Sequence, residues 1–591
     1  MNNPKDFDAI KQRIQGAEGW RDTNYTELWK TCLKQYRSRR PQVEAGRSNI
    51  FVPYTFMQVE VIKSRIAESL FNTHPFITVL PREDNDDAMA EHVQSLLNWQ
   101  FVDRMDIERT FSEHLLADMT VFGTAISYTG WLVKKHKTKR RGKVDRQLTY
   151  PDTGEIVVGE DGVPTSVSIT EVIEDEETTY DDPVVQKIDL FDFFTDPMSA
   201  TIADARFCGH REWLSKDAIK ELEESAGWSV NWESVSPDDT VEGGKRIRAD
   251  IGGNKDIAED DSSNTNGMYK VTHYWEDNRH VVIINDTVCA LDEENPFWHG
   301  MKPYDKCCYT TLSGEFYGMG IPETLLDLQA ELNTNRNQRI DYMSMALRRM
   351  WKLRRNSGLT ARDLVWRQSG VIQVEEMDDV QEIAVQPLPA SAFSHEDVVK
   401  QDMRDATGCH DIIMGLGYSA NETATTTMTK DNNASIRFKD VVKAVVQDLL
   451  VPIAKKCVSL DQQFLGEERL IRLSSSLEPA ASLLAVSPDD LVGCYDVSYV
   501  GTAVDAMANR ELNKQKVQET YNLAMGNPLV QNNPNSMRAL LRELLRANDI
   551  QNIDDILPPE MQPMLPQQPQ PQEDPTAGMT PLNPGEPVPM M

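Results

Sequence analysis

Apolar positions mark out the first elements. Phe7, Ile10 and Ile14, then Leu28, Trp29, Cys32, Leu33 and Tyr36, recur at helical spacing. The basic stretch Arg37–Pro41 breaks that pattern. A second amphipathic helix is predicted within 49–72, with Val59, Ile62, Ile66 and Leu70 on one face. Phe76–Leu80 reads as a short strand closed by Pro81, followed by helices near 86–104 and 107–121.

Residues 124–190 read as β-rich, with turn signals at Asp152–Gly154 and Asp161–Gly162. A basic run, Lys134–Lys143, precedes these turns and an acidic run, Glu171–Asp182, follows them. Runs of opposite sign flanking a hairpin pair across strands; the competing reading of the basic run is a DNA-binding patch. A strand over 188–196 ends in Asp-Pro, a helix covers 215–225, and residues 235–267 read as a mobile loop poor in apolar residues. Tyr269–Glu276 and His280–Ala290 read as a strand pair turned at Asp277-Asn278.

Further on, Phe316–Glu323 is a Gly-rich turn that sets Pro322 near the first position of a helix. That helix is predicted to run to about Trp351. Its middle, Asn333–Arg339, is polar all round, which suits polar neighbours or a solvent-filled cavity and not a conventional core. Residues 351–393 read as a short α/β segment with a strand over 370–375, and 395–407 as a helix. A long helix over 429–465 has Phe438, Val441, Val445, Leu449, Ile453, Cys457, Leu460 and Phe464 on its apolar face, and Pro452 predicts a kink in it. Residues 491–504 look β-like, 511–525 and 536–548 helical, and the Pro-, Gln- and Met-rich chain from 558 disordered.

Composition narrows the function. At 591 residues the chain exceeds a single core, and the fold class expected is mixed α+β, mainly helical. No run approaches the ~20 apolar residues of a membrane span, and the N-terminus shows no signal-peptide core. A soluble protein made in the cytoplasm, with no membrane partner, is expected. The net charge of −32 is the reverse of a DNA-gripping footprint; the chain either has no business with nucleic acid or touches it without holding it. Eight cysteines form no C-x-x-C pair, so reduced thiols are expected. The sequence has no P-loop, H-E-x-x-H or G-x-S-x-G. Ten histidines are scattered without pairing along it, and Asp84, Asp86 and Asp87 lack the rest of a calcium loop. No catalytic residue, cofactor or metal is predicted, and the balance favours a structural role.

Four patterns then stand in order: Asn49-Ile-Phe-Val-Pro53 with its helix; Leu190–Pro197; Phe316–Glu323 with Gln329, Asn333 and Asn337 downstream; and Gly415–Thr427 before a long helix. Over roughly residues 20–555 this succession resembles the portal, or head-to-tail connector, proteins of tailed bacteriophages. The resemblance implies a ring, usually a dodecamer, built from wing, stem, clip and crown around a DNA channel at one capsid vertex of the virion. It assigns 1–317 and 466–510 to the wing and 318–350 to a stem helix that starts at Gly318, Gly320 and Pro322. It further assigns 351–394 to the clip, 395–410 to a second stem helix, 411–428 to the tunnel loop, and 429–465 to the long kinked wing helix. Residues 511–556 become a helical crown and 557–591 a disordered tail. The implied partners are double-stranded DNA passing without sequence-specific binding, terminase, major capsid and scaffolding proteins, and adaptor or tail proteins. Met414, Leu416, Tyr418 and Asn421 are the expected channel contacts. Arg348, Lys352 and Arg355, with Arg349 beside them, recur at helical spacing as a basic stripe, facing DNA or an adaptor, or else paired with acids between subunits. The alternative is a DNA-processing enzyme, a nuclease or motor subunit, although the missing phosphate loop argues against a motor.

Overall fold

The first apolar spacing becomes two helices, α1 (Pro4–Arg21) and α2 (Glu27–Tyr36), joined by a π turn at Asp22–Thr26. In the computed structural model the described residues are 4–44, 46–71, 77–81, 87–147, 166–237, 243–253, 267–347, 350–355, 378–383, 391–409, 436–466, 469–472 and 483–499, with scattered positions between 359 and 389 and position 541. All but the last belong to one compact unit, Met1–Val504. Trp29 of α2 anchors the main core, enclosed by Phe122, Phe191 and Tyr317 with ring centroids 5.0–6.4 Å away, all edge-on. Helix α3 (Tyr54–Phe71) buries Val59, Ile62, Ile66 and Leu70 completely. It starts later than the pattern suggested, because residues 49–53 precede it without regular structure. Strand β1 (Ile77–Pro81), α4 (Asp87–Trp99), the single turn α5 (Ile107–Arg109) and α6 (Leu116–Phe122) follow.

The charged runs form one long ribbon. Strands β2 (Thr124–Gln147) and β3 (Ser166–Ile188) pair antiparallel, which at about 3.3 Å per residue spans roughly 70 Å. The register sets Lys137 opposite Glu176 and Lys139 opposite Glu174, the cross-strand arrangement that opposite charges favour. A bulge between Lys134 and Lys135 leaves Thr179 unpaired in the ladder. Strand β4 (Phe193–Thr195), β5 (Cys208–Ser215), β6 (Met268–Glu276), β7 (Arg279–Ile284) and β8 (Val288–Glu294) form an antiparallel five-stranded sheet in chain order. Helix α1 covers one face through Ile10, Ile14 and Ala17. Helix α7 (Lys216–Ala226), capped by Ser215, and Trp228 cover the other. Strand β9 (Tyr304–Cys308) pairs with Thr124–Tyr128 at the base of the ribbon.

Two expectations fail in this region. The strand read over 280–290 is two strands, because Asn285 and Asp286 take φ of 49° and 54° and turn the chain; Asn and Asp tolerate that conformation best after Gly. The loop read over 235–267 contains α8 (Gly244–Gly252). Its Ile251 is buried, and Arg248 bridges Asp118 and Asp189.

The second half supplies α9 (Ile321–Thr324), α10 (Leu326–Leu347), β10 (Met350–Leu353), β11 (Val380–Ile383), α11 (Ser391–Thr407), α12 (Ile436–Val445) and α13 (Val451–Phe464). It ends with β12 (Arg469–Arg472), β13 (Leu483–Val486) and β14 (Tyr495–Tyr499), which pairs with β1. The irregularity expected at Pro452 takes the form of a π turn at Val446–Leu450. A proline ring clashes with the carbonyl four residues back, and here that residue, Asp448, lies inside the widened turn. A strand over 370–375 is not found at Gln373 and Val374, its two described positions; the partner of β10 is β11 instead. The expected crown and tail, 511–591, lie outside the described residues apart from position 541.

A buried acid on α13 carries a pH signature. Asp461 accepts a hydrogen bond from Gln100 Nε2 at 2.7 Å. Burial, aided by the charge of Asp182, pushes its carboxyl up to about 8. A raised carboxyl contributes stability that is complete below the ordinary range near 4 and is lost as pH rises through 8. The Asp461→Asn protein is therefore expected to gain on the wild type progressively between pH 4 and pH 8, by up to about 5 kcal/mol at one pKa unit per 1.36 kcal/mol. Thermal midpoints measured across that range check this; a constant offset between the two proteins contradicts it.

Candidate functional site

The most unusual assembly is the launch and bracing of α10. Gly123 closes α6 with φ +86°, and the chain 318–320 crosses directly over it. Gly318 N donates to Thr124 Oγ1 at 2.8 Å, Met319 N to Thr310 O at 3.0 Å, and Tyr309 N to Gly123 O at 2.9 Å. A side chain at Gly318 would meet Thr310 O at 2.6 Å, and one at Gly320 would meet Val121 O at 2.6 Å. Only glycine permits two backbones to pass so closely. Pro322 then opens α9, where the missing N–H is no loss.

The polar middle of α10 is spent inside the chain. Gln329, Asn333, Asn337 and Asp341 fall four residues apart, hence on one helical stripe. That stripe reads the backbone of segment 48–55, which runs into the first turn of α3, group by group. Gln329 Oε1 accepts from Thr55 N at 3.1 Å and Nε2 donates to Val52 O at 2.8 Å. Asn333 Oδ1 accepts from Val52 N at 2.9 Å. Asn337 makes two bonds to Ile50, accepting from its N at 2.7 Å and donating to its O at 2.9 Å. Asp341 Oδ1 accepts from Ser48 N at 2.6 Å. A side-chain ladder thus substitutes for a neighbouring strand, and two motifs about 280 residues apart hold each other.

The adjacent stripe faces α11. Arg336 (3.3 Å) and Arg339 ion-pair with Glu396, which also takes Lys400 at 2.9 Å. Burial works against the Glu396 carboxylate, but Lys400 and Arg339 hold it below the ordinary range. Beyond this clamp the last turns of α10 carry exposed apolar side chains, Met343, Met345 and Leu347, the last exposed to 82%, while Phe393 at the start of α11 lies under the Arg339 guanidinium.

Truncating the ladder has graded consequences. Gln329 is buried and Asn337 is half-buried. Gln329→Ala strands the buried Thr55 amide and is expected to cost about 1–3 kcal/mol, Asn337→Ala about 1 kcal/mol or less. Thermal midpoints and proteolysis near residues 48–53 read both. Equal losses at the two positions would contradict the ladder as the brace.

A family model described as Phage SU10 portal protein matches residues 7–582. The chain belongs to this phage portal protein family. No curated protein matches the chain. The fold is mixed α/β; the Gly318–Pro322 turn opens the short α9, a break at Leu325 separates it from α10, and α10 ends at Leu347, short of the unbroken helix to Trp351 that the pattern suggested. For this portal-family chain the basic stripe needs correction. Spacing of four and three residues aligns side chains only on a continuous helix, but Lys352 lies on β10, in register with Gln381, and Arg355 follows in a turn. Both are exposed, and Arg348 and Arg349 lie outside the described residues. The basic residue that the fold engages here is Arg354, ion-paired with Glu376 and facing Asp379 at 3.7 Å. Met414, Leu416, Tyr418 and Asn421 also lie outside the described residues, between the end of α11 and the start of α12. Sequence reasoning missed Asp341 and Glu396. The four-residue spacing of amides that continues to Asp341 was the available signal; Glu396 had none.

Proposed function

We propose that this chain is a subunit of a portal ring at a capsid vertex, a conduit for double-stranded DNA during packaging and ejection, with no catalytic role. The observation that carries this reading beyond family membership is the exposed apolar end of α10. An exposed apolar surface collected at a helix end marks an interaction site. Here it tops two helices whose polar stripes are already consumed by the 48–55 segment and by Glu396. A neighbouring copy of the same pair is the occupant that closes a ring, each subunit offering one side to the next.

In this reading α10 and α11 are the stem, and the β10–β11 pair belongs to a clip over 351–394 that docks adaptor or tail proteins. The five-stranded sheet and the ribbon are the wing, where capsid and scaffolding proteins meet the ring. Residues 411–428, which link α11 towards α12, supply channel contacts through Met414, Leu416, Tyr418 and Asn421. Terminase docks during packaging, and twelve subunits are expected. A chain this acidic suits DNA that must slide, since tight phosphate binding would stall it.

Assembly tests the proposal. Met345→Asp combined with Leu347→Asp places two charges in the proposed contact and is expected to leave a monomer with unchanged circular dichroism. Rings that form from this variant at wild-type protein concentration would remove the α10–α11 end from the interface and with it the support for the stem.

A further inference from the structure

Three histidines, His210 and the hairpin neighbours His273 and His280, meet on one face of the five-stranded sheet. His210 on β5 stands directly opposite His273 on β6, and His280 on β7 opposite Trp275. Side chains alternate along a strand, so Glu212 returns to the face that His210 occupies. The His210 and His273 rings stack with centroids 4.9 Å apart and 9° from parallel, and His273 and His280 follow at 5.7 Å and 7°. Glu212 Oε1 lies 2.9 Å from His273 Nε2. Ligand-capable atoms of His210, Glu212 and His273 all fall within 4.8 Å of one another.

We propose that His210, Glu212 and His273 bind a divalent first-row transition metal ion of the Zn²⁺ class, as a clamp across β5 and β6. Two imidazoles and one carboxylate are a donor set suited to such ions and not to Ca²⁺ or Mg²⁺, which take oxygen ligands. Bonds of about 2.0–2.2 Å at tetrahedral angles hold ligand atoms about 3.4 Å apart, so binding requires the stacked His210 and His273 rings to turn about their side-chain bonds until both lone pairs meet one point.

The surroundings are arranged as around known ligand histidines, whose second ring nitrogen is normally tied down. His210 Nδ1 lies 2.6 Å from the buried Tyr304 hydroxyl, which leaves Nε2 for the ion. His273 Nδ1 lies 3.4 Å from His280 Nε2, and His280 Nδ1 lies 3.4 Å from Glu293 Oε1. Glu212 is partly exposed and gives an ion a way in. A plain His273–Glu212 hydrogen bond is the competing account, and it leaves His210 Nε2 without a task. The proposal is independent of ring assembly, since every ligand comes from one sheet of one chain.

The test uses full-length, untagged protein stripped with a chelator and titrated with Co²⁺, a visible stand-in for Zn²⁺. The expected result is saturation at one Co²⁺ per chain with the intense visible bands of four- or five-coordination. Zn²⁺ should displace the Co²⁺ and raise the thermal midpoint. Glu212→Gln and His273→Gln should each weaken binding by roughly tenfold or more, whereas His395→Gln, on the exposed surface of α11, should not. A wild-type spectrum showing only weak, aquo-like bands overturns the proposal without reference to any variant. So does a strong signal that persists unchanged in folded Glu212→Gln and His273→Gln.

Discussion

Replacing Lys456 by Met is expected to cost about 3–5 kcal/mol, because it strips a buried carboxylate of its partner. Lys456 Nζ on α13 donates to Asp305 Oδ1 and to Tyr304 O, both at 2.9 Å. Both side chains are shut away from water, and the second Asp305 oxygen has no hydrogen-bond partner among the described residues. Burial already pushes the Asp305 carboxyl up, and only the charge and hydrogen bond of Lys456 pull against that. The pair stitches α13 to β9 and so to the base of the long ribbon. The decisive control is the double variant Lys456→Met with Asp305→Leu. A buried pair replaced as a whole by apolar groups is often neutral, whereas one broken on one side is not. Thermal midpoints at a fixed protein concentration should show a severe loss in the single variant and recovery of most of it in the double. Equal losses in both would mean that the lysine acts through packing alone.

The second large effect belongs to the glycine crossing. Gly320→Ala is expected to lower stability by about 3 kcal/mol or more. The added Cβ would sit 2.6 Å from Val121 O and 2.8 Å from Gly123 N. These are backbone atoms at the end of α6 and cannot swing aside as a side chain would. Gly318→Ala should behave alike, since its Cβ would lie 2.8 Å from Gly123 O. Gly466→Ala, which meets nothing within 4 Å, should stay within about 0.5 kcal/mol of the wild type. Poor soluble yield of the first two, beside normal yield of the third, is the expected readout. Normal yield and melting for Gly320→Ala would show that the crossing relaxes more easily than its geometry implies.

Periodicity made the helical core legible. Val59, Ile62, Ile66 and Leu70 on α3, and Val445, Leu449, Ile453 and Cys457 on the helix around Pro452, are buried where their spacing placed them. Opposite charge runs foretold the ribbon, and its register aligns them. Local punctuation was harder to read. Asn285-Asp286 is a turn without glycine or proline, so an apolar run concealed two strands. Helix α8 lay hidden in a polar stretch because one buried isoleucine and one ion-paired arginine hold it, too little for a periodic signal. The polar stripe of α10 was recognised as unsuited to a core, but its partner, a backbone segment some 280 residues earlier, leaves no trace in composition. Histidines scattered along the chain converge through strand register alone, which no spacing rule anticipates. The basic stripe failed for the opposite reason: a spacing rule was carried past the point where the helix ends.

Ring formation is the claim on which the functional account stands. Native mass spectrometry of the purified full-length protein, with negative-stain images of the same sample, tests it most directly. The account predicts a particle of about twelve subunits with a central hole. A discrete dimer with no annular particles at any concentration, in the wild type and in the Met345→Asp, Leu347→Asp variant alike, would contradict it.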